Sequence, residues 1–443
     1  MEQRQHTNDA KGLPFVVIVS VNWNGWRDTL ECLESVRRLD YPNYLMIVVD
    51  NASRDDSLAR IREWAEKRKG YLLVEYPETV ARAGGEVVQE QAITAALPAR
   101  RAVLIRSAEN IALTGGANLA IDYALRRGQP VDYVFMLDND AKAEKHTLTH
   151  LVEVARKENA GIVGGVILDW KTGQIQYAER TTLLRWFFCP LVKADLPLPA
   201  KEVDYWPSAG VSGGAMLIRR DVLDTLYAAT GHHIPGDLVG HGWEFELCYR
   251  SSLAGYRGFV TRGGFVRHKG WRSAGCPVSP RHDYYFVRNR MEMADAFLPF
   301  GWRVLFHICN LPLTLARVLR ALGYRRPDVA RASVDGLMDG YKRVKGKWKH
   351  DGGLGGVQGL SAPGFLRGGR PRVDLHGVPD RGVFNLDSWK ARFTQKPDRF
   401  KSSLPNRRRQ IETQEDRHCT SAVRFRRLGG QSALGPSGAG PGL

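Results

Sequence analysis

The stretch Tyr133-Val134-Phe135-Met136-Leu137-Asp138-Asn139-Asp140 decides how the rest of this chain reads. Its first five residues are apolar without a break, which is the pattern of a strand buried on both faces. Two carboxylates one residue apart then follow where the strand runs out. Like charges that close repel unless something positive sits between them. A hard divalent cation is the usual partner, taking oxygen from one or two carboxylates and from a substrate's phosphates. The stretch therefore points to phosphate-bearing chemistry at the edge of an α/β sheet. An isolated pair of this kind is more often a solvated turn, so its neighbours must decide.

Upstream, Phe15–Val21 (FVVIVSV) is another continuous apolar, β-branched run. An amphipathic helix over Arg27–Leu39, a strand at Leu45–Val49, a helix over Ser57–Lys69 and a strand at Tyr71–Tyr76 follow. Strand and helix alternating in this rhythm form right-handed βαβ units of a doubly wound, mostly parallel sheet flanked by helices. Residues 77–101 show no clear period and read as an insertion, a flexible loop over the sheet edge. The order resumes at Val103–Ile105. ENIALTGGANLAIDYAL then reads as a glycine-rich turn entering a helix at Leu119–Leu125. Ligands of open α/β sheets bind beyond the carboxyl ends of the strands. Asp50, the Gly115-Gly116 turn and Asp138 with Asp140 all fall at such ends and are expected to share one pocket.

Downstream, a strand is expected at Ile162–Leu168 and a second motif block at Val211–Arg290. Two basic, amphipathic helices are expected from Phe297 to about Lys349. Beyond residue 350 the chain is rich in Gly, Pro and Arg without a sustained period, the composition of a disordered tail. The apolar stretch Val304–Ala316, bracketed by Arg303 and Arg317, is too short at thirteen residues to span a bilayer.

The net charge is +17, and residues 351–443 supply +8 of it with sixteen Lys/Arg against eight Asp/Glu. Such a surface favours anionic partners, from nucleic acid and acidic lipid to phosphorylated small molecules. The six cysteines include no C-x-x-C pair, which argues against a zinc site or disulfide scaffold and suits a reducing cytosol. No signal peptide is legible in the polar N-terminus.

FVVIVSVNWNG, VVDNAS, ENIALTGGANLAI, LDND, GGAMLIRRDVL, GWEFELCYRSSLAGYRGF, FVRHKG and DYYFVRNR, in this order, resemble the family-2 glycosyltransferases of GT-A fold. The likeness is nearest to bacterial rhamnosyl- and galactofuranosyltransferase-like members. It implies a disordered N-terminus at 1–13 and a GT-A domain at 14–295, with a nucleotide-binding half at 14–141 and an acceptor and catalytic half at 142–295. A helical extension at 296–350 and the disordered tail at 351–443 complete the organisation.

The resemblance also implies roles. Val21, Asn22 and Trp23 would line the base and ribose of a nucleotide donor, although Trp23 reads equally as core. Asp50, with Asn51 behind it, would accept hydrogen bonds from the base, a role compatible with a helix cap or Asx turn. Gly116 and Asn118 would face the diphosphate at a helix N-terminus. Asp138, Asp140 and His268 would hold a divalent metal, Mn2+ or Mg2+; against this, His268 reads as a solvent-facing basic residue. Gly213 and Gly214 would let an acceptor sugar approach. Glu244 takes the place of the catalytic base, with Glu246 as second choice, and Trp243 stands where the family carries an acid. Arg288 or Arg290 would close over the diphosphate or form a structural salt bridge.

The expected activity is therefore an inverting, metal-dependent transfer from a nucleoside-diphosphate sugar, UDP- or dTDP-linked, to a glycan or lipid-linked acceptor. The expected setting is the cytoplasm, with an anionic membrane surface on the cytoplasmic face of the inner membrane as a partner read from the basic helices. A sugar-nucleotide pyrophosphorylase would want a Gly-rich, Arg/Lys-bearing loop after the first strand, which VNWNGWRD does not resemble. A nucleic-acid-binding protein lacks a recognised motif, so no nucleic acid is expected. A non-catalytic scaffold stays open because of Trp243.

Overall fold

The computed structural model describes residues 12–178, 187, 202–236, 238, 240–270, 279–346 and 348–350. Residues 1–11 and the tail 351–443 lie outside the described residues, and with them the disorder expected there.

The nucleotide-binding half is built as its pattern requires. The strands β1 (Val16–Asn22) and β2 (Tyr44–Asp50) are almost wholly buried and pair in parallel. Helix α1 (Trp26–Val36) connects them, and α2 (Ser57–Glu66) leads to β3 (Leu72–Pro77). Residues 77–101 are the point of correction. They hold α3 (Glu78–Ala83), α4 (Val87–Ala95) and a single 3-10 turn before β4 (Arg101–Arg106). Strands β3 and β4 pair in parallel, so the segment between them is a crossover and must carry the chain back along the sheet. A helix does this with its backbone satisfied, whereas an open loop would not. Its apolar period is weak because few residues face inward: Ala81 and Ile93 are buried, and Glu90 is bound by the hydroxyls of Tyr76 and Tyr123 at 3.0 and 2.6 Å.

Helix α5 (Ala112–Arg126) and β5 (Tyr133–Leu137) follow, and then β6 (Ala141–Ala143), α6 (Thr147–Lys157) and β7 (Ile162–Asp169). Strands β8 (Ile175–Tyr177) and β9 (Tyr205–Pro207) flank the sheet, ahead of β10 (Ala215–Arg219), α7 (Arg220–Thr230), α8 (Trp243–Leu253) and β11 (Gly258–His268). Among the described residues the sheet runs β3-β4-β2-β1-β5-β10-β7-β11-β6. Its first five strands are parallel, while β10 runs antiparallel to β5 and β7.

The chain leaves β1 toward β2 and returns to lay β5 on the other side of β1, so the loops after β1 and β5 diverge and open a crevice. One face of the sheet is covered by α5 and α7, the other by α1, α2 and α6, each contributing to a large apolar cluster.

Three helices close the described chain: α9 (Pro280–Phe297), α10 (Phe300–Gly323) and α11 (Pro327–Lys342). They pack on each other through Val287, Met291, Ala294 and Phe306, and Tyr284 and Tyr285 meet Ala332 and Trp348 beside Ala112 of α5. Here too the sequence reading needs correcting. The thirteen-residue apolar stretch is part of a 24-residue helix, because Pro312 is accommodated inside it and Arg303 and Arg317 lie within it. By length and composition it is a helix able to cross a membrane.

Candidate active site

The sheet register assembles a cluster of acids and a histidine. Strand β6 pairs antiparallel with the end of β11, placing His268 opposite Ala141, and the Lys269 amide donates to the Asp140 carbonyl at 3.1 Å. His268 Nε2 consequently lies 3.0 Å from Asp140 Oδ1 and 3.5 Å from Asp138 Oδ2. One ligand atom from each of the three lies within 4.8 Å of the others. On the far side of the ring, Nδ1 faces Gln176 Oε1 at 3.3 Å, a contact that orients the imidazole and leaves Nε2 toward the carboxylates. Gln176 carried no signal in the sequence, since it lies on the short edge strand β8, 92 residues from the histidine.

The electrostatics of the cluster favour a cation between the carboxylates. Burial, reinforced by the charge of Asp140 and opposed by His268, pushes the Asp138 carboxyl up to about 6. Burial works against a charged His268, but the hydrogen bond to Asp140 and the charges of both aspartates outweigh it and raise its pKa above the ordinary histidine value. Two carboxylate oxygens and one imidazole nitrogen form a mixed donor set of the kind that suits a hard or borderline divalent ion. The residues fit such an ion.

The crevice floor is tied together by polar side chains. Asn22, fully buried at the end of β1, donates to Asp50 Oδ2 at 2.8 Å and accepts from the Thr29 hydroxyl at 2.8 Å. Asn139, between the two aspartates, donates to the same hydroxyl at 3.1 Å, so the loops after β1 and β5 share one network. A Cβ on Gly25 would come within 2.9 Å of the Asn139 amide, so this close approach needs glycine. Asp50 is buried and also receives the Ser53 amide, three residues on, at 3.0 Å. Asn51 accepts from the Ile111 amide at 2.9 Å and donates to the Ala112 carbonyl at 3.1 Å, fastening β2 to the start of α5. Trp23 lies half-buried at the mouth. Asn24 and Ala52, just after β1 and β2, and Ala112, at the start of α5, all adopt left-handed backbone. For the two alanines that conformation is strained, which marks a locally over-determined site.

Several residues are placed differently from their expected roles. The glycine-rich turn is not a turn: α5 starts at Ala112, so Gly115, Gly116 and Asn118 are inside the helix. A Cβ on Gly116 would meet Val21 Cγ1 at 2.9 Å, so this glycine lets α5 sit close on β1, and the Val21 side chain points into that contact. Asn118 donates to the Thr114 and Ile234 carbonyls at 2.9 and 2.8 Å and accepts from the Ile234 amide at 2.9 Å. Its amide fastens the loop at Ile234 to α5. Gly213 is covered by the indole of buried Trp243, whose Cζ2 would lie 2.3 Å from an added Cβ, so neither residue is open to a sugar. Gly214 does lie at the cluster, 2.9 Å from Asp138 Oδ2 by the same measure. Arg288 and Arg290 are buried, with guanidinium groups on the carbonyls of Gly346 and Phe187. Neither reaches a crevice; the positive charge has been used to pin the C-terminal helices.

Helix α8 separates the two glutamates. Glu246 is buried and paired with Arg250 at 2.8 Å, one turn along. Glu244, in the first turn, is half-buried and close enough to Asp138 for their charges to interact. Burial, with Asp138 adding and backbone hydrogen bonds opposing, pushes its carboxyl up to about 7. A carboxylate with that pKa is suited to take a proton near neutral pH. Lys269 also escaped the sequence reading: it bridges Asp28 at 2.5 Å and Glu31 at 3.2 Å, joining the cluster strand to α1.

Residues 16–85 and 86–227 match the family described as Glycosyl transferase family 2. No curated protein matches the chain by sequence. Among solved structures, a mannosyltransferase from Pyrobaculum calidifontis in complex with GDP-Man and Mn2+ is 16% identical over 75% of this chain and 88% of its own, with a TM-score of 0.44. The S. aureus protein TarS is 13% identical over 66% of this chain and 42% of its own, with a TM-score of 0.39.

Proposed function

We propose, for a chain that belongs to glycosyl transferase family 2, an inverting, metal-dependent transfer of a sugar from a UDP- or dTDP-linked donor to a hydroxyl of a glycan or lipid-linked acceptor. The observation that carries this reading is the meeting of Asp138, Asp140 and His268, with Glu244 on α8 near enough to Asp138 for their charges to interact.

Asp138, Asp140 and His268 would hold a divalent ion, Mn2+ or Mg2+, which when bound offsets the negative charge of a departing diphosphate. Asp50, held by Asn22 and Ser53, keeps acceptor lone pairs for the donor's base. Glu244 accepts the proton of the acceptor hydroxyl at its carboxylate. The hydroxyl oxygen bonds to the anomeric carbon on one face while the bond to the donor phosphate breaks on the other. The donor leaves as a nucleoside diphosphate, and no sugar–protein bond forms. Glu246, committed to Arg250, keeps α8 in place.

A panel of UDP- and dTDP-sugars, assayed for hydrolysis with Mn2+, with Mg2+ and with excess chelator, tests this without knowledge of the acceptor. One donor should turn over, and only with metal. Turnover unaffected by the chelator rules out the metal role. No turnover or binding of any nucleotide sugar rules out the donor class.

A further inference from the structure

Helix α10 presents two unlike sides. Phe306, Asn310, Thr314 and Ala321 face inward and are buried against α9 and α11. Arg317 reaches back to Asp283 of α9 at 2.6 Å. The other side is bare: Phe300 is 74% exposed, Ile308 63%, Leu311 50%, Leu315 58%, Leu319 60% and Leu322 50%. At about 100° per residue these side chains fall within an arc of roughly 100° that contains no charged residue, over a length of about 33 Å. So long an exposed apolar strip is costly in water.

We infer that this strip of α10 lies in the headgroup layer of an anionic membrane, as a peripheral anchor for the protein. Charge complementarity selects that occupant. Residues 300–350 carry eleven Lys/Arg against three Asp, and Arg320, Arg325, Lys342, Arg343 and Lys349 are exposed. Basic residues bordering an apolar strip are the composition of an interfacial helix, where aliphatic burial and attraction to acidic lipid act together. The helix lies on the surface and does not cross it. Its inner side is occupied by its own fold, and the Arg317–Asp283 pair would have to enter hydrocarbon if α10 spanned the bilayer. The exposed face of α11, with Val334, Met338 and Tyr341 beside Arg331, continues the same mixture of apolar and basic groups.

The inference is independent of the proposed chemistry, because its test contains no catalytic step. The full chain is sedimented with vesicles of phosphatidylcholine containing phosphatidylglycerol, and with phosphatidylcholine alone. The acidic vesicles should carry the protein down, more weakly as salt rises, and neutral vesicles should carry much less. Ile308→Glu with Leu315→Glu should reduce the bound fraction by on the order of tenfold. Both side chains are exposed, and circular dichroism checks that the fold is kept. Three results would overturn the inference: no sedimentation at low salt, equal binding by the double variant, or a wild-type dimer that the double variant splits while vesicles bind neither.

Discussion

Replacing Glu244 with glutamine separates its proposed role as a base from a purely structural one. The carboxyl titrates at about 7 in the folded chain against an ordinary 4.5. The folded state thus holds this proton more tightly than the unfolded state does. The associated stability is fully present below pH 4.5 and is lost as pH rises through about 7. At neutral pH and above, the buried charge costs the fold at most ~3 kcal/mol at about 1.4 kcal/mol per pH unit. Partial exposure cuts that to ~1–2 kcal/mol. Glutamine keeps the shape and removes the charge, so Glu244→Gln should melt higher than wild type at pH 8, by about 2–5 °C. At pH 4 the two proteins should melt together.

Catalysis should move the opposite way. A positioned base contributes roughly 10²–10⁴ in rate, so transfer should fall by that factor while donor affinity stays near wild type. The wild-type rate should drop about tenfold per pH unit below 7, the slope of a single essential carboxylate, and the residual rate of the variant should lose this slope. Calorimetry at the two pH values and a pH–rate profile check both halves. A variant that retains wild-type transfer with the same pH profile refutes the base assignment. If Glu246→Gln instead abolishes the slope, the base is the glutamate paired with Arg250.

Asp140→Asn should abolish Mn2+-dependent donor binding, read by titration calorimetry with and without metal, and leave circular dichroism unchanged. Gly214→Ala would press a methyl to 2.9 Å from Asp138 Oδ2; donor hydrolysis should fall at least about tenfold, with ~1–3 kcal/mol of stability lost in denaturant. Asn118→Ala strips two hydrogen bonds between α5 and the loop at Ile234 and a third to the Thr114 carbonyl within α5. It should cost ~1–3 kcal/mol in urea unfolding and leave donor affinity unchanged; a selective loss of donor affinity would restore Asn118 to the diphosphate.

The sequence by itself determined whatever depends on local pattern. The continuous apolar, β-branched runs at Phe15–Val21, Leu45–Val49 and Tyr133–Leu137 are too short for core helices and read as strands buried on both faces, and the structure makes them β1, β2 and β5. A carboxylate pair at the end of such a run must lie at the mouth of the sheet, so Asp138 and Asp140 were legible before any fold was known. His268 and Glu244 could be named from order along the chain, but only the pairing of β6 with β11 sets the histidine 3.0 Å from Asp140.

Tertiary structure alone decided how each polar or flexible residue is used. Glycine before apolar residues reads the same whether it opens a phosphate turn or lets a helix settle on a strand, and contact with Val21 makes Gly116 the latter. A buried arginine and a substrate clamp are one letter in a sequence; the carbonyls of Gly346 and Phe187 settle Arg288 and Arg290. Residues 77–101 look formless until β3 and β4 pair in parallel and require a crossover. Gln176 gave no sign at all. A hydrogen bond is satisfied by whichever partner the fold brings near, and that partner can lie anywhere along the chain.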